Sequence, residues 1–189
     1  DSYNVAVGEE VLRYNTAANN SAVGYKALYT NTTAPNNIAV GYKALYANTT
    51  GEFNVATGSN AMLNNTTGYR NTASGYSALF TNTTGHCNTA YGFRSMCKNT
   101  TGSNNTASGL YSMYLNTTGC VNVAIGRNAL CCNTTGSANV AVGAYALDDN
   151  VGANNVAVGY STLGSNTSGC FNTASGYRAL LQNTTAKCN

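Results

Sequence analysis

An Asn-x-Ala-x-Gly pentapeptide returns eleven times in this chain, beginning at Asn4, Asn20, Asn37, Asn54, Asn71, Asn88, Asn105, Asn122, Asn139, Asn155 and Asn172. The steps are seventeen residues, with two of sixteen. So short and faithful a period specifies a solenoid, because a unit of this size buries an apolar face only by stacking on its neighbours. The repeat occupies residues 1–189 and leaves no stretch for a second unit or a linker. The expected fold is all-β: a single β-solenoid, a parallel β-roll of eleven coils, about 17 residues per coil with two short strands in each.

With the Asn as position 1, four positions never vary: Asn at 1, Ala at 3, Gly at 5 and Asn at 12. Positions 1 to 5 alternate small and β-branched residues, as in Asn139-Val140-Ala141-Val142-Gly143, which is strand chemistry. Ala and Gly on one face imply close approach of another backbone, while positions 2 and 4 accept Thr, Ser and Tyr91 and read as the less buried face. Position 9 is always Leu or Met: Leu12, Leu28, Leu45, Met62, Leu79, Met96, Met113, Leu130, Leu147, Leu163 and Leu180. This column is the expected core ridge, carried by the second short strand. At about 1.5–3 kcal/mol per buried side chain, it holds a rod together where one coil would not. Position 6 favours Tyr (Tyr25, Tyr42, Tyr76, Tyr160, Tyr177), an expected aromatic ladder at a corner, with sugar binding by exposed rings as the functional reading.

Asn-Thr-Thr-Gly at positions 12 to 15 is turn chemistry, with Asn capping the turn and Gly supplying positive φ. Both sixteen-residue repeats lose a residue after position 12, as a surface loop tolerates. Eleven coils at the interstrand spacing give a rod about 50 Å long. Position 12 also carries Asn-x-Ser/Thr in nine repeats, at Asn31, Asn48, Asn65, Asn82, Asn99, Asn116, Asn133, Asn166 and Asn183. These are candidate glycosylation sites on exposed turns, although turn chemistry alone selects the same residues.

The segments Asn20-Ser21-Ala22-Val23-Gly24, Asn122-Val123-Ala124-Ile125-Gly126 and Asn155-Val156-Ala157-Val158-Gly159 resemble the head repeats of YadA-like trimeric autotransporter adhesins. Similar repeats occur in phage tail-fibre-like proteins. The resemblance spans all eleven repeats and implies a parallel β-roll, often of three chains, in an extracellular adhesive or structural fibre. This repeat is longer than the usual adhesin head repeat, and no heptad stalk or anchor segment accompanies it. Trimerisation and attachment are therefore implied only at the level of the family.

Seven cysteines fall in two zones of the repeat: Cys97, Cys131 and Cys132 at positions 10 and 11, and Cys87, Cys120, Cys170 and Cys188 at positions 16 and 17. Pairs joining adjacent coils are expected, Cys87 with Cys97, Cys120 with Cys131 or Cys132, and Cys170 with Cys188, against the alternative of free thiols. No metal or other cofactor is expected, since no paired C-x-x-C occurs and His86 is the one histidine. Charged residues make up 8% of the chain and its cations are scattered, which argues against nucleic-acid binding. No run approaches the roughly 20 apolar residues of a membrane span, so insertion is not expected. The opening Asp1-Ser2-Tyr3 has no signal-like run, and the expectation is a mature product or a piece of a longer array.

Catalysis has little to stand on: Asp148 and Asp149 are adjacent at a strand end and read as pointing to opposite faces, and no triad is available. The expected role is a structural subunit of an extracellular, self-assembling fibre, at a cell or virion surface. Its partners are copies of itself, stacked end to end or side by side as trimers, with covalent or bound glycans as further candidates. The alternatives are an adhesin or tail-fibre shaft that binds surface glycans or matrix and, more remotely, an ice-binding solenoid, whose Thr array is here interrupted by Val repeats.

Overall fold

The computed structural model describes residues 3–189. Each repeat contributes one three-residue strand, from β1 (Val5–Val7) to β11 (Thr173–Ser175). The eleven strands form one parallel sheet in chain order. Register is set by the repeat: Ala6 lies opposite Ala22, and Ala22 opposite Ala39. Across the second sixteen-residue step the pairing still runs Val140 to Val156 and Ala141 to Ala157, so the deletion falls outside the strand.

Alternation decides which face is inward. Position 3 carries an Ala column that is buried from Ala22 to Ala174 and exposed only at Ala6 in the first coil, whereas positions 2 and 4 face outward and range from half-buried to exposed. The core consists of this Ala column, a mostly Ala column at position 8, where Ser95, Ser112 and Thr162 are also buried, and the Leu/Met column at position 9. Nine of the eleven Leu/Met side chains, Leu28 through Leu163, are fully buried. Leu12 is partly buried and Leu180 is 41% exposed, because each end coil has a neighbour on one side only.

One strand per coil forms among the described residues, where two were expected. The stretch from position 6 to position 11 is a run of turns, and its φ angles explain why the side chains at positions 8 and 9, such as Ala44 and Leu45, can both face inward. Positions 7 and 9 are left-handed in every coil, for example Arg94 (φ 53°) and Met96 (φ 49°). A strand would send neighbouring side chains to opposite faces; breaking the extended conformation at alternate residues places both on the core side. The backbone remains bonded between coils. Leu28 N–H donates to the Ala44 carbonyl at 3.0 Å, while Lys43 N–H donates back to the Tyr25 carbonyl at 2.8 Å.

Two glycine columns have different causes. Gly109 at position 5 has φ 141°, and a Cβ there would lie 2.5 Å from the Gly126 carbonyl oxygen. At position 15, where positive φ was expected, Gly68 does not have it. It is glycine for space, since a Cβ would strike Asn65 Oδ1 and the Gly85 carbonyl oxygen.

Candidate functional site

The sequon asparagines are the largest departure from the sequence reading. Asn31, Asn48, Asn65, Asn82, Asn99, Asn116, Asn133 and Asn166 are fully buried, and Asn183 in the last coil is partly buried. Each amide folds inward across its turn. Asn82 Nδ2 donates to Asn65 Oδ1 at 2.7 Å in the preceding coil and to the Gly85 carbonyl at 2.9 Å in its own. With both amide protons committed and the side chain enclosed, a glycan on Nδ2 is incompatible with the folded coil. The candidate glycosylation sites, placed on exposed turns by the sequence, instead form an internal amide ladder. Position 1 forms a second ladder: Asn71 N–H donates to Asn54 Oδ1 at 3.0 Å, and Asn71 Nδ2 reaches the Gly85 carbonyl at 2.9 Å. The position-12 ladder breaks once. Asn150, in a sixteen-residue coil, donates to the Gly152 carbonyl alone, and Asn133 Oδ1 is left buried without a partner.

The coil ends carry complementary unpaired backbone groups. Inner coils donate backward from positions 5 and 7 and forward from positions 9, 11 and 13, as in Gly24 N–H to the Val7 carbonyl and Leu12 N–H to the Ala27 carbonyl. Among the described residues, the first coil therefore leaves the N–H groups of Gly8 and Glu10 and the carbonyls of Val11, Arg13 and Thr16 without backbone partners. The last coil leaves the N–H groups of Leu180, Gln182 and Thr184 and the carbonyls of Ser175 and Tyr177.

Along one edge, position-6 and position-10 rings stack from coil to coil. Tyr25 and Tyr42 have centroids 5.5 Å apart, Tyr29 and Tyr46 5.1 Å, and Tyr160 and Tyr177 5.5 Å. Position-7 cations fill the space between the two columns: Lys26 Nζ lies 5.2 Å from the centroids of both Tyr25 and Tyr29. Lys26 also pairs with Glu10 at 3.1 Å, and Arg13 contacts the same carboxylate. The hydrogen bond from Lys26 holds the Glu10 carboxyl below its usual range. Stacking is pairwise, so a neighbouring ring covers one face of each, and cations lie beside several of the rings.

None of the expected disulfides is present, and Cys87, Cys97, Cys120, Cys131, Cys132, Cys170 and Cys188 are all free thiols. Cys170 and Cys188 are adjacent through their backbones, Cys188 N–H donating to the Cys170 carbonyl at 3.1 Å, but their sulfurs are unbonded. Asp148 and Asp149 do not point to opposite faces as a strand would require; both line one recess with Tyr145 and Tyr160. Burial, with Asp149 adding to it, pushes the Asp148 carboxyl up to about 6. Burial, then Cys132 and Asp148, pushes the Cys131 thiol up to about 12.

Fold and surface together define a parallel β-solenoid repeat protein with about 17 residues per turn. No family model, curated protein or solved structure matches the chain. The adhesin-like repeats are thus a local sequence resemblance, and the solenoid fold stands on its own geometry.

Proposed function

We propose that the chain is a structural subunit of an extracellular fibre, assembled by end-to-end stacking of solenoids. The supporting observation is the match between its two ends. If the first coil of one copy follows the last coil of another in the repeat's own register, Gly8 N–H meets the Ser175 carbonyl and Glu10 N–H the Tyr177 carbonyl. Leu180, Gln182 and Thr184 N–H then meet the carbonyls of Val11, Arg13 and Thr16. The half-covered Leu12 and Leu180 become inner members of the core column. Asn189 N–H, 3.1 Å from Asn172 Oδ1, holds the ladder slot that Asn4 of the incoming copy takes, so stacking exchanges one asparagine for another. Unpaired strand edges are ready templates for such addition. Extracellular placement follows the adhesin and tail-fibre resemblance.

The adhesin or shaft reading is supported by the aromatic edge, although pairwise stacking leaves each ring at most one face for a sugar. An ice-binding reading has less support, because the position-13 hydroxyls bond the next coil, as Thr66 Oγ1 does to the Thr83 carbonyl at 3.0 Å. Concentration-dependent light scattering with negative-stain imaging tests the proposal. The chain is expected to form rods longer than one molecule, and Leu180→Arg, which puts a charge on the end face, is expected to return them to single-molecule length. Single rods at every concentration, or Leu180→Arg rods as long as the wild type's, would refute it.

A further inference from the structure

Cys131 and Cys132 occupy positions 10 and 11 of the eighth coil, and Asp148 and Asp149 occupy the same positions of the ninth. Cys132 N–H donates to the Asp148 carbonyl at 2.9 Å, which locks the two pairs one above the other. Both Sγ atoms and a carboxylate oxygen of Asp148 lie within 4.8 Å of one another. In the tenth coil, position 10 is Gly164, where other coils carry a side chain such as Tyr114 or Leu181. Above the carboxylates the column therefore opens into a recess of about 280 Å³, which Asp149 also lines. Neither aspartate has an ion-pair partner among the described residues, whose salt bridges all involve Glu10. Two sulfurs and a carboxylate converge there without a compensating cation.

We propose that Cys131, Cys132 and Asp148 bind one zinc-type divalent cation, which clasps the eighth coil to the ninth. The donor set selects the ion class: thiolates favour zinc and its soft relatives, whereas calcium and magnesium take oxygen ligands. With Zn–S bonds of about 2.3 Å, two sulfurs on a tetrahedral ion stand roughly 3.8 Å apart. That spacing lies inside the 4.8 Å within which all three donor atoms fall. Binding replaces three of the ion's water ligands by two thiolates and the carboxylate oxygen and breaks two S–H bonds, whose protons pass to water; nothing is oxidised or reduced. Asp149 or a water completes the tetrahedron from the recess side. The period explains how such a site escapes a search for C-x-x-C, because its oxygen donor comes from the next coil. This site is independent of end-to-end stacking, as it joins two inner coils of one chain.

The test is titration of the full-length, reduced, chelator-washed chain with Co²⁺ and then Zn²⁺. One equivalent of Co²⁺ is expected to produce thiolate-to-cobalt charge-transfer absorption with tetrahedral ligand-field bands, which Zn²⁺ removes and excess Ca²⁺ does not. The double variant Cys131→Ser, Cys132→Ser is expected to abolish the bands; Asp148→Asn is expected to weaken Co²⁺ binding at least tenfold. Cys97→Ser is expected to leave binding unchanged. Zinc-edge X-ray absorption of the wild-type chain should count two sulfurs, a readout that needs no variant to fold. The proposal is overturned by the absence of thiolate absorption, by bands that survive in the double serine variant, by an unchanged affinity in Asp148→Asn, or by a sulfur count of zero.

Discussion

Replacing Asn99 by Ala tests whether the internal amide ladder holds the coils together. Asn99 Nδ2 donates to Asn82 Oδ1 at 2.7 Å and to the Gly102 carbonyl at 3.0 Å, and Asn99 Oδ1 accepts from Asn116 Nδ2 at 2.7 Å. The losses are unequal. Gly102 keeps a bond from Asn88 Nδ2, and Asn116 Nδ2 keeps the Gly119 carbonyl. Asn82 Oδ1 has no second donor and is stranded in a fully buried site. One stranded buried acceptor costs about 1–3 kcal/mol, and two weakened partners add about 0.5–1.5 kcal/mol each at most. The expected destabilisation is therefore about 2–6 kcal/mol, before any contribution from the cavity. Asn183→Ala is the internal control. Asn183 lies partly exposed in the end coil and donates at 3.1 Å to Asn166 Oδ1; its truncation opens that oxygen to water from the end face instead of stranding it, so its expected cost is below about 1 kcal/mol. Urea denaturation followed by circular dichroism gives the loss, and hydrogen exchange locates it, since repeat arrays do not always unfold in one step. Exchange should accelerate in the coils containing Asn82, Asn99 and Asn116. If Asn99→Ala unfolds within about 0.5 kcal/mol of the wild type, below the net worth of a typical hydrogen bond, the ladder is not a stabilising device and the reasoning fails.

Two further substitutions address the backbone. Gly109→Ala puts a Cβ 2.5 Å from the Gly126 carbonyl oxygen at a φ of 141°, and a loss of about 3 kcal/mol or more is expected from urea denaturation, with exchange fastest around the seventh and eighth coils. Leu79→Ile keeps side-chain volume but puts a β-branched residue at φ 51°, so it is expected to cost about 1–3 kcal/mol. Leu79→Met, a swap the repeat itself makes at Met62 and Met96, should cost under about 1.5 kcal/mol, and equal losses for the two variants would count against a conformational origin.

The period, the strand at positions 2 to 4 and the inward Ala and Leu/Met columns were legible because each follows from spacing and size alone. The second strand was not, although its absence leaves a mark in the sequence. Position 7 takes Glu, Lys, Asn, Ser, Arg and Tyr, and position 9 takes only Leu and Met, but neither ever takes Val, Ile or Thr. A strand would welcome β-branched residues there, and left-handed backbone disfavours them, although Val121 at position 17 (φ 60°) adopts it. Their absence was the readable sign of the turn run. The buried asparagines carry a similar mark. A solvent-facing turn exchanges Asn for Asp, Ser or Gly, whereas positions 1 and 12 hold Asn without exception, even in the sixteen-residue repeats. Only a side chain with both donors and an acceptor can pass a hydrogen bond from one coil to the next. Composition pointed to a turn; strict identity pointed to a ladder.

The same lesson governs where chemistry can gather in such a chain. Motif reading along the sequence looks for partners a few residues apart, because helices and hairpins bring those together. In a solenoid the nearest side chain above a residue is one period away, so Cys131 has Asp148 as its neighbour across seventeen positions. The turn run adds a second rule. Adjacent residues at positions 10 and 11 share a side of the coil, as Asp148 and Asp149 do, where a strand would have separated them. A two-by-two block is therefore the natural unit of a side-chain cluster here: positions 10 and 11 in two successive coils. In the eighth and ninth coils that block holds two thiols and two carboxylates, with the glycine of the tenth leaving it open to solvent.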